Sequence, residues 1–168
     1  HIARYQYDPL AYMKEVCNGN MEKWQEEAAI YMGETLRSKN GGVLRMAFAT
    51  GHGVGKTWFA SATAKWFLGT RPFTEGVRVI ITANTEHQAK SITMSRLLSI
   101  HQNAKDKDLF QYSAMTYKPI YCDPSQARIE VKNWSESNFV AFQGVYDQYV
   151  LFIVDEASQI PTEVFQTI

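Results

Sequence analysis

Two stretches of this sequence hold residues whose types and spacing suit chemistry on phosphate groups. The first is Thr50-Gly51-His52-Gly53-Val54-Gly55-Lys56-Thr57. Its three glycines allow the backbone to curl so that successive N–H groups point inward at an anion. A β-like run, Gly42–Thr50, leads in, and a helix-like run from Lys56 to Leu68 leads out. The N-terminus of that helix adds partial positive charge at the same place. Lys56 can reach the β- and γ-phosphates of a nucleotide, and the Thr57 hydroxyl can take a place on Mg²⁺. The phosphate-loop pattern places a glycine five residues before Gly55, where this chain has Thr50. The Gly55-Lys56-Thr57 core is intact. A plain glycine turn between strand and helix is the bland alternative for this stretch taken alone.

The second stretch is Val150-Leu151-Phe152-Ile153-Val154-Asp155-Glu156, about a hundred residues further on. A buried strand here delivers two carboxylates at its C-terminal edge, where open α/β sheets bind ligands. Asp155 is placed to hold Mg²⁺ through its water shell. Glu156 is placed to polarise the water that attacks the γ-phosphate. A solvated strand end would explain the acidic pair alone. The pair together with the Gly-Lys-Thr loop points to binding and hydrolysis of a nucleoside triphosphate, with Glu156 and Lys56 as the catalytic residues and Thr57 and Asp155 on the metal.

The elements that must position these residues follow from the apolar spacing. Asp8-Pro9 reads as a helix cap followed by proline at the first helical position, with Leu10, Met13, Val16 and Cys17 on one face. Asn20 is a cap for a second helix, whose apolar positions are Met21, Trp24, Ala28, Tyr31, Met32 and Leu36. Val43–Thr50 reads as a buried strand into the loop, and Phe59, Ala60, Ala64 and Phe67 form the apolar side of the helix after it. Val77–Ala83 is a further strand. Thr85 and Gln88 form a capping-box pair for a helix carrying Ile92, Leu97, Leu98 and Ile100. Lys105–Asp108 reads as a charged, solvated tip. Tyr112–Tyr121 is β-like but interrupted by Pro119, Arg128–Lys132 alternates, Phe139–Phe142 is a short strand, and Tyr149–Val154 is a central parallel strand. Strands separated by helices predict an α/β three-layer domain with a mostly parallel central sheet flanked by helices.

The chain has 168 residues, enough for one domain with one sizeable core, so residues 1–168 are read as a single domain. Hydrophobic content of 45% and charged content of 20% fit a soluble globular protein, and zero formal net charge gives no sign of a strongly basic nucleic-acid footprint. Cys17 and Cys122 lack metal-ligand spacing and are too few for a disulfide framework, which suits reduced thiols inside a cell. No apolar run approaches a membrane span, and no signal-peptide pattern opens the chain. The end at Ile168, just after what reads as the start of another element, suggests a fragment of a longer protein.

Four stretches give the chain a family resemblance. They are Trp24-Gln25 upstream of the loop, Ala49–Thr57 itself, Ile81-Thr82-Ala83-Asn84-Thr85 with Gln88, and Phe142-Gln143-Gly144 followed by Ile153–Ser158. Together they resemble the N-terminal ATPase domain of the large terminase subunit of tailed bacteriophages, the motor that packages DNA into a procapsid. The resemblance runs from about Asp8 to Pro161. It implies a P-loop NTPase of the additional-strand, catalytic-glutamate type, with ATP and Mg²⁺ as cofactors. Thr50, Gly51, His52, Gly53, Val54, Gly55, Lys56 and Thr57 become the nucleotide-binding set, joined by Gln25, which matches a glutamine that reads the adenine edge. Trp24 reads as core packing. The missing first glycine, at Thr50, is a common trait of the family's loop. His52 departs from it, standing where many relatives carry an arginine, and a neutral imidazole cannot replace an always-charged guanidinium. Gln88 reads as a cap partner and Asn84 as a turn residue.

The resemblance also implies partners: double-stranded phage DNA, a portal protein, a small terminase subunit, and a homo-oligomeric ring during packaging, with a monomer in isolation and no membrane. The expected location is the host cell cytoplasm. An arginine finger is expected in cis or from a neighbouring subunit, with Arg45, Arg71, Arg78, Arg96 and Arg128 as candidates. The family's nuclease domain is absent from this chain, which is therefore expected not to cut DNA. A helicase half-domain and a nucleotide-dependent assembly module with little turnover are the alternatives. Replacing Glu156 with Gln is expected to preserve ATP binding and stop turnover, since a positioned base contributes on the order of 10²- to 10⁴-fold in rate. Nucleotide affinity and phosphate release measured on one sample decide it, because lost affinity with normal residual turnover contradicts the role.

Overall fold

A computed structural model of the chain describes residues 2–38, 43–49, 51, 53–82, 93–113, 115–132 and 147–155. The chain opens with helix α1, Pro9–Ala11, which runs directly into a wider π-helical turn at Tyr12–Val16. The expected cap is present: Asp8 Oδ1 accepts from Ala11 N–H at 3.0 Å with Pro9 at the first helical position. Helix α2 is Lys23–Ser38 and helix α3 is Lys56–Thr70. Strand β1, Val77–Thr82, follows α3 after a short turn, and helix α4 is Ser95–Asn103. Strands β2 (Phe110–Tyr112), β3 (Thr116–Pro119), β4 (Ala127–Val131) and β5 (Tyr149–Val154) complete the described elements.

The strands form one five-stranded sheet in the order β2-β3-β4-β1-β5, flanked by helices. Strand β1 runs parallel to both β4 and β5, whereas β2–β3 and β3–β4 are antiparallel. The sheet is therefore mixed, not mostly parallel as expected. The cause lies in connection length. A parallel pair needs a crossover of a dozen or more residues, while an antiparallel pair closes with a tight turn. Only Ser113–Met115 separates β2 from β3, and Ser113 N–H and Oγ both bond back to the Thr116 carbonyl. Strand β3 reaches β4 through a second short turn, fixed by Ser125 N–H on Asp123 Oδ1 at 2.7 Å.

Strand β5 is parallel, as expected, but it ends the order of the described strands and is half-buried along its length. Val43–Thr50 was expected to be a buried strand, and its described part, residues 43–49, joins none of the described ladders. Leu44 and Met46 are half-buried, but Val43, Arg45, Ala47, Phe48 and Ala49 are exposed. An apolar run was legible, but composition alone does not specify strand pairing. The expected strand at Phe139–Phe142 and the Thr85–Gln88 cap lie outside the described residues.

Helix α3 is the centre of the core. Every residue from Ser61 to Thr70 is buried, so the helix has no solvent face. On the sheet, Val77, Val79, Ile81, Ala127, Ile129 and Val131 pack into the same core. Trp66 Nε1 donates to the Tyr5 carbonyl at 2.7 Å, which ties the N-terminal segment to α3. The second helix keeps most of its expected face: Met32 is buried and Trp24, Ala28 and Leu36 pack against the core, whereas Tyr31 is exposed and Gln25, Ala29 and Gly33 are buried as well. It also begins at Lys23, so Asn20 is not its cap.

One charged side chain of α3 faces inward. Lys65 is fully buried and its Nζ donates to Asp106 Oδ1 at 2.5 Å. Tyr12 Oη donates to the other Asp106 oxygen at 2.7 Å, and Lys65 Nζ lies over the Phe110 ring. Burial pushes the Tyr12 phenol well up and the neighbouring Cys17 thiol up to about 12, so both stay protonated. The Lys105–Asp108 stretch is thus not wholly a solvated tip: Lys105, Lys107 and Asp108 are exposed, but Asp106 is buried to meet Lys65. Lys65→Met is expected to destabilise the fold by about 3–5 kcal/mol, because it leaves a buried carboxylate without its cation. The double variant Lys65→Met/Asp106→Leu is expected to recover most of that loss, read from urea denaturation midpoints of the three proteins.

Candidate functional site: the loop at the start of α3

Helix α3 and strand β1 pack together and are joined by residues 71–76, so they run in opposite directions. Fifteen helical residues and six strand residues each span roughly 20 Å. The start of α3 therefore lies level with the C-terminal ends of the parallel strands. Asp155 is at that level, its N–H donating to the Thr82 carbonyl at 3.0 Å as the β1–β5 ladder ends. The geometry brings the Gly-Lys-Thr loop and the first carboxylate of the acidic pair to one edge of the sheet. Thr50, His52 and Glu156 lie outside the described residues, as do Asn84, Gln88 and Gln143.

The loop itself is held by backbone and side-chain contacts. Gly53 and Gly55 have φ of 76° and 83°, in the left-handed region. Gly55 caps α3, and its carbonyl accepts from Phe59 N–H at 3.0 Å. Lys56 Nζ donates to the Gly51 carbonyl at 2.9 Å, so the lysine folds back along the loop. Among the described residues, a Cβ added at Gly51 or Gly53 would meet nothing within 4 Å. Thr57 is half-buried on the first turn, and its carbonyl accepts from Ser61 Oγ at 2.8 Å. Ser61 Oγ also donates to the Thr93 carbonyl, which ties α3 to the residues preceding α4.

Helix α2 supports the loop from behind. Trp24 Nε1 donates to the Val54 carbonyl at 3.2 Å, and the ring packs against Phe48 and Phe59. Trp24 is thus a packing residue, as its helical spacing suggested, with an added polar contact that spacing could not show. Gln25 Nε2 donates to the Gly55 carbonyl at 3.1 Å, and its Oε1 accepts from Glu22 N–H at 2.9 Å. The second bond is half of a capping box, a glutamine three residues into the helix reaching back to the residue before its start.

Residues 47–166 match the family described as "Terminase large subunit, T4likevirus-type, N-terminal". This chain belongs to that terminase family. It is also 26% identical over 171 residues to a protein described as "Probable terminase, large subunit" from Enterobacteria phage P7. That alignment takes in 99% of this chain and 33% of the relative, so the chain spans about a third of the relative's length. The family match begins after Trp24 and Gln25, which makes their contacts a property read from this terminase chain's own geometry.

The terminase fold separates the arginines. Arg71 is buried, stacked on Phe67 and Trp66, and Nη1 donates to the Phe67 carbonyl at 3.2 Å, closing the far end of α3. Burial lowers its guanidinium to about 9. Arg78 pairs with Glu130 and Asp147, each at 3.1 Å, and Arg128 pairs with Glu130 at 2.8 Å. These three stand at the strand N-termini, opposite the loop, and their contacts account for them. Arg45 and Arg96 are exposed, Arg45 on the segment leading to the loop and Arg96 near the start of α4. Two clefts, of about 580 and about 420 Å³, lie beside Arg71–Phe73 and beside Tyr5–Asp106, and neither borders the loop. Among the described residues, no group of three His, Cys, Asp or Glu gathers as a metal site.

Gly55→Ala is expected to cost more than Gly53→Ala. Both substitutions force an L side chain into the left-handed region, at about 1–2 kcal/mol. At Gly55 the added Cβ would also lie 2.6 Å from Gln25 Nε2 and displace it, whereas at Gly53 it meets open space. The difference in denaturation midpoint, about 1 kcal/mol for one lost hydrogen bond, measures that second contact.

Proposed function

We propose that this chain is the ATP-hydrolysing motor domain of a phage large terminase, powering translocation of double-stranded DNA into the procapsid. The observation that carries the reading is the pair of left-handed glycines, Gly53 and Gly55, leading into α3, with Lys56 and Thr57 on its first turn. Asp155 at the neighbouring strand end supports it. Residues 1–168 act as one P-loop domain of the additional-strand, catalytic-glutamate type. The family match, and not the loop, separates this reading from a helicase half-domain.

The residues present fit a nucleotide with Mg²⁺. Thr57 and Asp155 supply hard oxygen donors, and one or two protein ligands suffice because Mg²⁺ keeps several waters and phosphate oxygens. When bound, the ion neutralises charge on the β- and γ-phosphates. Gly51–Gly55 amides and the α3 N-terminus bind the phosphates, Lys56 leaves the Gly51 carbonyl to reach them, and Thr50, His52 and Val54 complete the loop. Glu156 accepts the proton of the attacking water. Of the five candidate arginines, the exposed Arg45 and Arg96 are those left to act in cis or in trans. The domain works in the host cell cytoplasm with phage DNA, a portal protein, a small terminase subunit and neighbouring copies in a ring. No described helix is long and apolar enough to cross a membrane.

Lys56→Ala is expected to weaken MgATP binding about ten- to a hundredfold, the worth of one charge-assisted phosphate contact. Calorimetric titration of the two proteins tests it, and equal affinities would remove the loop from the binding site. Specific ATPase activity is expected to rise with protein concentration if a neighbour completes the site. Binding without turnover at high concentration would instead indicate an assembly module.

A further inference from the structure

Gln25 is buried, with 3% of its surface exposed, and both ends of its amide are engaged within the protein. Its Nε2 holds the Gly55 carbonyl while Trp24 Nε1 holds the Val54 carbonyl. Two consecutive side chains of α2 thus hold two consecutive carbonyls of the loop. In a planar trans peptide unit, the carbonyl of one residue and the N–H of the next point in opposite directions. Drawing the Val54 and Gly55 carbonyls toward α2 turns the Gly55 and Lys56 N–H groups away from it. The Lys56 N–H is among the first amides of α3, which have no partner inside the helix.

Gly55 is where this arrangement closes. Its carbonyl uses both lone pairs, one for Phe59 N–H and one for Gln25 Nε2. The absence of a Cβ is what lets the amide approach, since an added one would lie 2.6 Å from Nε2. The other end of the amide is fixed by Glu22 N–H, so Gln25 spans from the start of α2 to the start of α3.

We infer that Gln25, with Trp24 beside it, is a positioning residue that aims the loop's amides at the phosphates. The inference rests on the nucleotide-binding reading above and changes what Gln25 does within it. Its signature is a loss of affinity common to every ligand that carries the phosphates.

The test titrates magnesium tripolyphosphate, MgATP and MgGTP into the wild-type chain, Gln25→Met and Gln25→Glu. Gln25→Met keeps the volume and removes both bonds. Gln25→Glu keeps the acceptor for Glu22 N–H and removes the donor to Gly55. Both variants are expected to bind all three ligands about five- to tenfold more weakly, with the ATP-to-GTP ratio unchanged. Thermal melts without ligand accompany each titration, and the affinity loss is expected in Gln25→Glu at temperatures well below its melt, where a purely structural role would not move it. Unchanged tripolyphosphate affinity with an altered ATP-to-GTP ratio would overturn the inference alone. A wild-type chain that binds none of the three would overturn the nucleotide reading and the inference with it.

Discussion

The buried charge of Lys65 is the constraint on which the rest of this domain depends. Helix α3 has no solvent face over its last ten residues, so a cation on it must be neutralised by protein. An ammonium taken out of water without a partner costs several kcal/mol, more than a large share of a domain's net stability. Asp106 meets that demand, and Tyr12 satisfies its second oxygen. The three residues come from the first helical segment, the middle of α3 and the turn after α4. Satisfying one charge therefore fixes the relative placement of three parts of the chain, and with them the axis on which the loop is mounted.

The contacts divide along that axis. Left-handed Gly53 and Gly55, Lys56 and Thr57 lie at one end of α3, level with the strand end that carries Asp155. At the other end, Arg71 closes the helix, while Arg78, Arg128, Glu130 and Asp147 knit the strand N-termini together. The arginines most deeply used by the fold therefore lie at the end of α3 away from the glycine loop, where stacking and ion pairs account for them.

What could be read from the sequence was local, and what could not was long-range. Gly55-Lys56-Thr57 and the apolar run into Asp155 each carry their meaning within a few residues, as does the Asp8-Pro9 cap. The Lys65–Asp106 pair joins residues 41 apart, and a charged tetrad at 105–108 gave no local sign that one member turns inward. On α2, Trp24, Ala28, Met32 and Leu36 pack on the core as their spacing suggested, whereas Gln25, a polar residue, occupies a core position that an apolar count passes over. The antiparallel hairpin is encoded in turns around Ser113 and Asp123 too short for crossovers, inside a stretch that reads as one β-like run interrupted at Pro119. Residues 43–49 have the apolar composition of a buried strand yet join none of the described ladders.

The central position of Lys65 along α3 has a mechanical consequence. Sliding the helix by a single turn would carry its Nζ about 5.4 Å from Asp106, far outside contact distance. The helix therefore cannot work as a piston against its surroundings. Any displacement of α3 must carry the first helical segment and the Asp106 turn with it as one rigid block.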